Sequence, residues 1–219
     1  LSRRQRQMCI RDSFMSNLTT GSAIYFMKHV LGNGSLLGLF SMMKMFPVII
    51  ALIFTPILVK KTGSMQKVNF WGYVISDILG IFLIIFAMQK NLPMMLLFMF
   101  LKGTFAGTMS GTLNALIAEI SGYTYRTKGV HIDGMMFSCS SLGVKVGGGI
   151  GTAAVGWLLH AAGYAGKAAT QTAAATNMIF SMYITIPVIL GVVITILLGL
   201  MKVEKENKRI DMERAEKAD

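Results

Sequence analysis

The chain has 219 residues, 53% of them hydrophobic and 14% charged, with a mean hydropathy of +0.59. This is too apolar for an ordinary soluble domain of its size, so a membrane is the expected solvent. The net charge of +11 raises a nucleic-acid partner, but most basic residues fall before residue 14, between apolar stretches or in the tail, so the excess reads mainly as a topology signal.

Residues 1–13 do not start with Met and lack the long apolar core and small-residue cleavage site of a secretory signal. They resemble the translation of a sequencing adapter and are expected to be a non-native leader, with an amphipathic basic leader as the alternative. Residues 14–201 are expected to form one transmembrane domain, and 202–219 a charged cytoplasmic tail.

A bilayer-spanning helix needs about twenty mainly apolar residues. Six stretches qualify, roughly 14–30, 36–59, 68–88, 92–118, 135–160 and 175–201. The first is the weakest because it carries Asn17, Thr19, Thr20 and Lys28. Short breaks such as Gly32-Asn33-Gly34, 60–67 and 89–92 make neighbouring helices antiparallel. Cytoplasmic loops are enriched in Lys and Arg. Lys60, Lys61, Lys67, Arg126 and Lys128 fall on one side with the tail, and Lys28, Lys90 and Lys167 on the other, so both termini of this segment are expected in the cytoplasm. The tail alternates acids with bases, as a solvated extension of the last helix does.

Four ionisable residues, Lys44, Asp77, Lys102 and Lys145, lie well inside apolar spans. An unpaired charge there costs at least about 2.5 kcal/mol and normally faces a polar cavity or a partner. For Lys44 and Lys102, snorkelling or pairing with Asp77 competes with a substrate role, and for Asp77 a structural ion pair is the favoured reading. Ser138, Ser141, Lys145 and Thr152 fall within an arc of about 60° on a helix, with Gly143, Gly147 and Gly151 opposite. Gly103, Gly107 and Gly111 repeat that four-residue spacing, which lets helix backbones pack closely. The run Gly149–Ala154 nominally fits a dinucleotide fingerprint, but it lies inside an apolar span with no preceding strand and is discarded. Cys9 and Cys139 support neither a disulfide framework nor a metal motif, and no metal site is expected.

Residues 118–134 read as a polar loop opening onto the Lys145 span. Ala118, Glu119, Tyr123, Gly129, His131, Asp133 and Gly134, continued by Phe137-Ser138, 145–148, 156–158 and Gly163-Tyr164, resemble the segment before and within helix 11 of the glycoside-pentoside-hexuronide:cation symporters. That family is the melibiose-carrier branch of the major facilitator fold. The resemblance covers about residues 14–201. Gly122, Lys128 and His131 depart from its usual acid, threonine and arginine, which puts in doubt any pairing that needs a permanent guanidinium.

The resemblance implies an all-α membrane protein whose six transmembrane helices correspond to the C-terminal six-helix bundle of a twelve-helix carrier. It implies cation-coupled symport of a sugar or glycoside by alternating access in the cell membrane, with the lipid bilayer and a missing N-terminal six-helix half as partners. By the same resemblance Lys145 lies between the sugar and cation sites and Ser141 lies beside the sugar. Ser138, Thr152, Lys102 and Asp77 complete the candidate substrate-binding or coupling set. Glu119, Tyr123, Gly129, His131 and Asp133 match a cytoplasmic gate motif, with helix-end capping as the competing reading.

No cofactor is expected, and the coupling Na+ or H+ should find its ligands in the other half, because these spans offer one acid against three lysines. That lysine excess points toward an acidic sugar. No phosphate loop, zinc motif or Ser-His pairing on a shared helical face is present, so an enzyme is not expected. The alternative is a self-contained six-span protein, acting as a dimeric carrier or as a non-transporting sensor or scaffold.

Overall fold

The computed structural model describes residues 2–168, 170–200, 209, 210 and 212, leaving aside the side chains of 2–6, 8, 120 and 128. Most of the charged tail expected at 202–219 therefore lies outside the described residues. Those described are all helical, with turns and no strand. The helices are α1 (Ser2–His29), α2 (Leu36–Thr62), α3 (Met65–Met88), α4 (Leu92–Ala106), α5 (Thr108–Lys128), α6 (Asp133–Ala161), α7 (Ala173–Phe180) and α8 (Ile186–Gly199).

Local chemistry sets the boundaries. Gly63 ends α2 and Gly129 ends α5, both left-handed, with φ of 63° and 69°. A residue without Cβ takes that conformation at little cost. Ser64, Asn91 and Thr172 cap α3, α4 and α7, each side-chain oxygen accepting a backbone N–H three residues on. One π-helical turn, Ser181–Thr185, joins α7 to α8 just ahead of Pro187. Proline has no N–H to donate and its ring crowds the carbonyl one turn earlier, so a wider turn relieves the helix there.

Among the described residues, five stretches are long and apolar enough to cross a membrane: Leu36–Thr62, Met65–Met88, Leu92–Thr127, Asp133–Ala161 and Ala173–Gly199. α4 and α5 act as one span with a hitch at Gly107, and α7 and α8 as another. α1 has the length, 28 residues, but not the apolarity. It is continuous across residues 13 and 14, and Cys9 is buried.

Contacts fix the relative directions. Along α4 and α5, an added Cβ at Gly103 would meet Pro47, at Gly107 Ala51, and at Gly111 Leu52 and Thr55. Both series ascend, so α2 and the α4–α5 span run parallel, which places Lys60, Lys61 and Arg126 at one end. Gly147 against Ile10, Gly151 against Phe14 and Val155 against Gly21 make α1 and α6 parallel. Asp77 against Gly191, Gly80 against Val188 and Phe70 against Gly199 make α3 and α8 antiparallel. The core gathers Leu18, Phe26, Phe40, Met95, Ile179 and Met182, with Phe26 stacked on Tyr183 at 4.5 Å.

The polar stretch at 118–134 differs from the expected loop. α5 continues through Glu119 and Tyr123 to Lys128, because no proline interrupts it and its first stop signal is Gly129. Only residues 129–132 connect it to α6.

Candidate functional site

The candidate residues separate into three places. The first is the outward face of α6, where Ser138, Ser141, Lys145 and Thr152 are all exposed. Thr152 donates to the Gly148 carbonyl at 3.0 Å, and Lys145 has no hydrogen-bond or ion-pair partner among the described residues. Gly143, Gly147 and Gly151 are buried on the other side. A Cβ at Gly151 would stand 2.6 Å from the Phe14 carbonyl oxygen, and one at Gly147 would overlap that of Ile10. A chain carrying a lysine and three hydroxyls outward from a membrane-length helix presents a surface suited to water or a polar solute.

The second place is a cavity of about 280 Å³ inside the bundle, reached by Lys44 from α2, Tyr73 from α3, Lys102 from α4, Ser110 from α5 and Tyr183 from the π-helical turn. α1 closes it with Asp12, Ser16 and Thr19. The rest of the wall is largely apolar and methionine-rich, the composition of a small-molecule pocket with a few placed polar groups. No residue of α6 lines it, so Lys145 and Lys102 do not share a site within this chain.

Behind the cavity lies a buried polar seam. Asp77 is 8% exposed, and its Oδ2 accepts from Thr195 at 2.6 Å. Its Oδ1 has no hydrogen-bond partner among the described residues. The carboxylate fits because position 191 is glycine: a Cβ there would overlap Oδ1. Lys102 acts on Asp77 through space and forms no ion pair with it within 4.0 Å, so the expected pair is an electrostatic neighbour and not a hydrogen-bonded bridge. Asn69, fully buried, donates to Thr112 at 2.6 Å.

The third place is the end of α5. His131 stacks on Tyr125 at 4.1 Å and stands 3.8 Å from Asp133, with both members of that pair largely exposed. Tyr123 and Glu119 lie on the helix one turn apart, and Gly129 is its C-cap.

Tyr73, Tyr183, Thr195 and Gly191 escape sequence reasoning. A signal exists for the first: Asn69, Gly72, Tyr73, Ser76, Asp77 and Gly80 recur at three- and four-residue spacing and are all buried. In a helix whose other residues after Lys67 are apolar, that stripe marks the inward face.

The chain matches the family model described as MFS/sugar transport protein over residues 8–205. It is 27% identical over 182 residues to an isoprimeverose transporter of Lactiplantibacillus pentosus, covering 83% of this chain and 37% of that protein. It is 25% identical over 189 residues to the protein named putative glycoside/cation symporter YagG of Escherichia coli K12, covering 85% of this chain and 40% of that protein. It is 26% identical over 174 residues to an uncharacterized 29.9 kDa protein of Pseudescherichia vulneris, covering 78% and 62%. The chain thus spans between about a third and two thirds of the length of these relatives. With the family model covering nearly the whole chain and membrane-length helices beneath it, the chain belongs to the MFS/sugar transport protein family, a family of multi-pass membrane transporters.

Proposed function

We propose that this chain is the C-terminal six-helix half of a twelve-helix symporter, which moves a sugar or glycoside across the cell membrane with Na+ or H+ by alternating access. The observation that carries the reading is the exposed stripe Ser138, Ser141, Lys145 and Thr152 on a helix whose opposite face is packed glycine. A lysine left facing hydrocarbon is costly, whereas one facing a solute cavity between two halves is not. α1 is then the sixth span, its polar residues tolerated because α6 covers one side of it. The alternating directions of α1 with α6, α2 with α4–α5, and α3 with α8 are those of six consecutive antiparallel spans, and they support this reading.

In the mechanism, the half described here rocks against its partner half. Lys145 meets the substrate or links its occupancy to the coupling ion, and Ser141 lies beside the sugar. The parallel α2 and α4–α5 spans bring Lys60, Lys61 and Arg126 to the cytoplasmic end, where Glu119, Tyr123, Gly129, His131 and Asp133 form part of the gate. The coupling ion takes its oxygen ligands from the other half, because these spans offer one acid, Asp77, against the three lysines Lys44, Lys102 and Lys145.

Uptake of a radiolabelled glycoside by the complete carrier in proteoliposomes tests this. Accumulation should require an inward Na+ or H+ gradient and collapse when an ionophore dissipates it. Lys145→Ala should lower accumulation by about tenfold or more, a loss of at least ~1.4 kcal/mol in the coupled step. Gradient-independent behaviour, or full accumulation by Lys145→Ala, overturns the proposal. Uptake by this chain alone transfers the function to a six-span dimer.

A further inference from the structure

The turn between α2 and α3 gathers three cations at one end of the bundle. Lys60 and Lys61 close α2, and Lys67 lies in the first turn of α3. All three are exposed, and among the described residues none of their ammonium groups makes a hydrogen bond or an ion pair, with Glu119 of α5 or with any other acid. Residues 13–76 contain no Asp or Glu. The turn itself is fixed. The Gly63 N–H donates to the Val59 carbonyl at 2.8 Å, the Thr62 hydroxyl donates to the Ser64 carbonyl at 3.3 Å, and Ser64 Oγ accepts from the Lys67 N–H at 3.2 Å.

Beyond the cations the surface changes in order of depth. Lys67, Trp71, Ile75, Ile78, Phe82 and Ile85 are all exposed. At about 100° per residue they fall within an arc of about 80°, so α3 carries one outward stripe that reads cation, indole, then apolar side chains. Phe70 braces the indole edge-on at 5.7 Å. On α2, Lys61, Leu58 and Phe54 repeat the order on one face, cation first and apolar after. Lys67 and Ile78 are about 16 Å apart along the helix, close to half of a hydrocarbon core about 30 Å thick. This is the profile of a phospholipid: charged headgroup, the boundary at which an indole settles, then acyl chain. Orientation in the membrane needs only the lysines and does not require one stripe to carry all three levels.

We propose that the α2–α3 hairpin binds an anionic phospholipid, its phosphate among Lys60, Lys61 and Lys67 and an acyl chain along Trp71, Ile75 and Ile78. Clustered lysines at a membrane surface attract anionic headgroups, and a zwitterionic headgroup offsets most of that attraction with its own cation. The opposite end of α3 is followed by one lysine, Lys90. The site needs a bilayer around the bundle and is independent of what the carrier moves.

Native mass spectrometry of the complete carrier, with phosphatidylglycerol and phosphatidylcholine of identical acyl chains, tests this. Phosphatidylglycerol should occupy a saturable site about tenfold more tightly. The triple substitution Lys60→Gln, Lys61→Gln and Lys67→Gln should lower that preference to less than about twofold, whereas Lys90→Gln should leave it unchanged. Trp71→Ala should weaken both lipids alike, and inorganic phosphate, which has no acyl chain, should not displace the lipid. Equal affinity for the two lipids, an equal loss in Lys90→Gln, or displacement by inorganic phosphate overturns the site while leaving the carrier reading intact. Should the triple variant fail to insert, because its lysines also set orientation, Lys67→Gln alone decides: the preference should fall by at least about twofold, and an unchanged preference overturns the site.

Discussion

α3 and α6 are both membrane-length helices, and they turn their polar stripes in opposite directions, although α6 also exposes Leu142, Val146, Ile150 and Trp157. α3 buries Asn69, Ser76 and Asp77 while exposing Trp71, Ile78, Ile81 and Ile85. α6 buries Gly143, Gly147 and Gly151 and exposes Ser138, Ser141, Lys145 and Thr152 along one stripe. In water an amphipathic helix turns its apolar side inward, whereas in hydrocarbon the rule reverses and polar groups retreat into the bundle. α3 therefore has the surface of a lipid-facing helix. α6 keeps a polar stripe outward, which suits contact with water or solute.

The sharpest way to break this comparison is to place a lysine on each outward face. Ile81→Lys puts a charge on the apolar side of α3, at 55% exposure in the native residue, and should cost at least about 2.5 kcal/mol on insertion. Ser141→Lys on α6 should cost much less. Membrane-fraction yield of the two variants gives the contrast, and equal losses would show that both faces meet lipid.

Inward faces come next. Gly151→Leu forces a side chain against the Phe14 backbone, and Gly72→Leu does the same against the Phe105 carbonyl, 2.7 Å from an added Cβ. Backbone cannot swing aside as a side chain does, so each should destabilise the bundle by about 1–3 kcal/mol, read as a lower thermal unfolding midpoint in detergent. A smaller loss is expected from Thr195→Val, which removes the donor to Asp77 Oδ2 and leaves both carboxylate oxygens without a hydrogen bond, at about 1–3 kcal/mol toward the lower end. An unchanged midpoint would mean that water replaces the hydroxyl.

The smallest effect on stability belongs to Lys145→Ala. Its side chain is exposed and makes no hydrogen bond or ion pair among the described residues, so the midpoint should move by less than the equivalent of about 0.5 kcal/mol. Stability retained with transport lost separates a functional lysine from a structural one. Parallel losses of both would place Lys145 among the residues that hold the bundle together.

Composition and the length of apolar runs determined a helical membrane protein, because the bilayer permits few other ways to satisfy the backbone. Five of the expected spans are recovered on length and apolarity. The first is the one its own Asn17, Thr19, Thr20 and Lys28 had marked as weak. Helical spacing also grouped Ser138, Ser141, Lys145 and Thr152, since residues about 100° apart on one element need no other element to define their face. The length of α5 was less legible: polar residues at 118–128 resemble a loop in composition, yet helix stops at a breaker, and that breaker is Gly129.

Only the tertiary structure decided which charges meet. Lys44, Asp77 and Lys102 look alike as isolated charges in apolar sequence. Packing of α2, α3, α4 and α8 directs two of them into a cavity and the third onto Thr195, through a gap that Gly191 leaves open. It also kept Lys145 apart from that cavity. The sequence determines what each helix must bury; which neighbour it buries that face against depends on contacts between residues distant in the chain, and a one-dimensional pattern does not carry them.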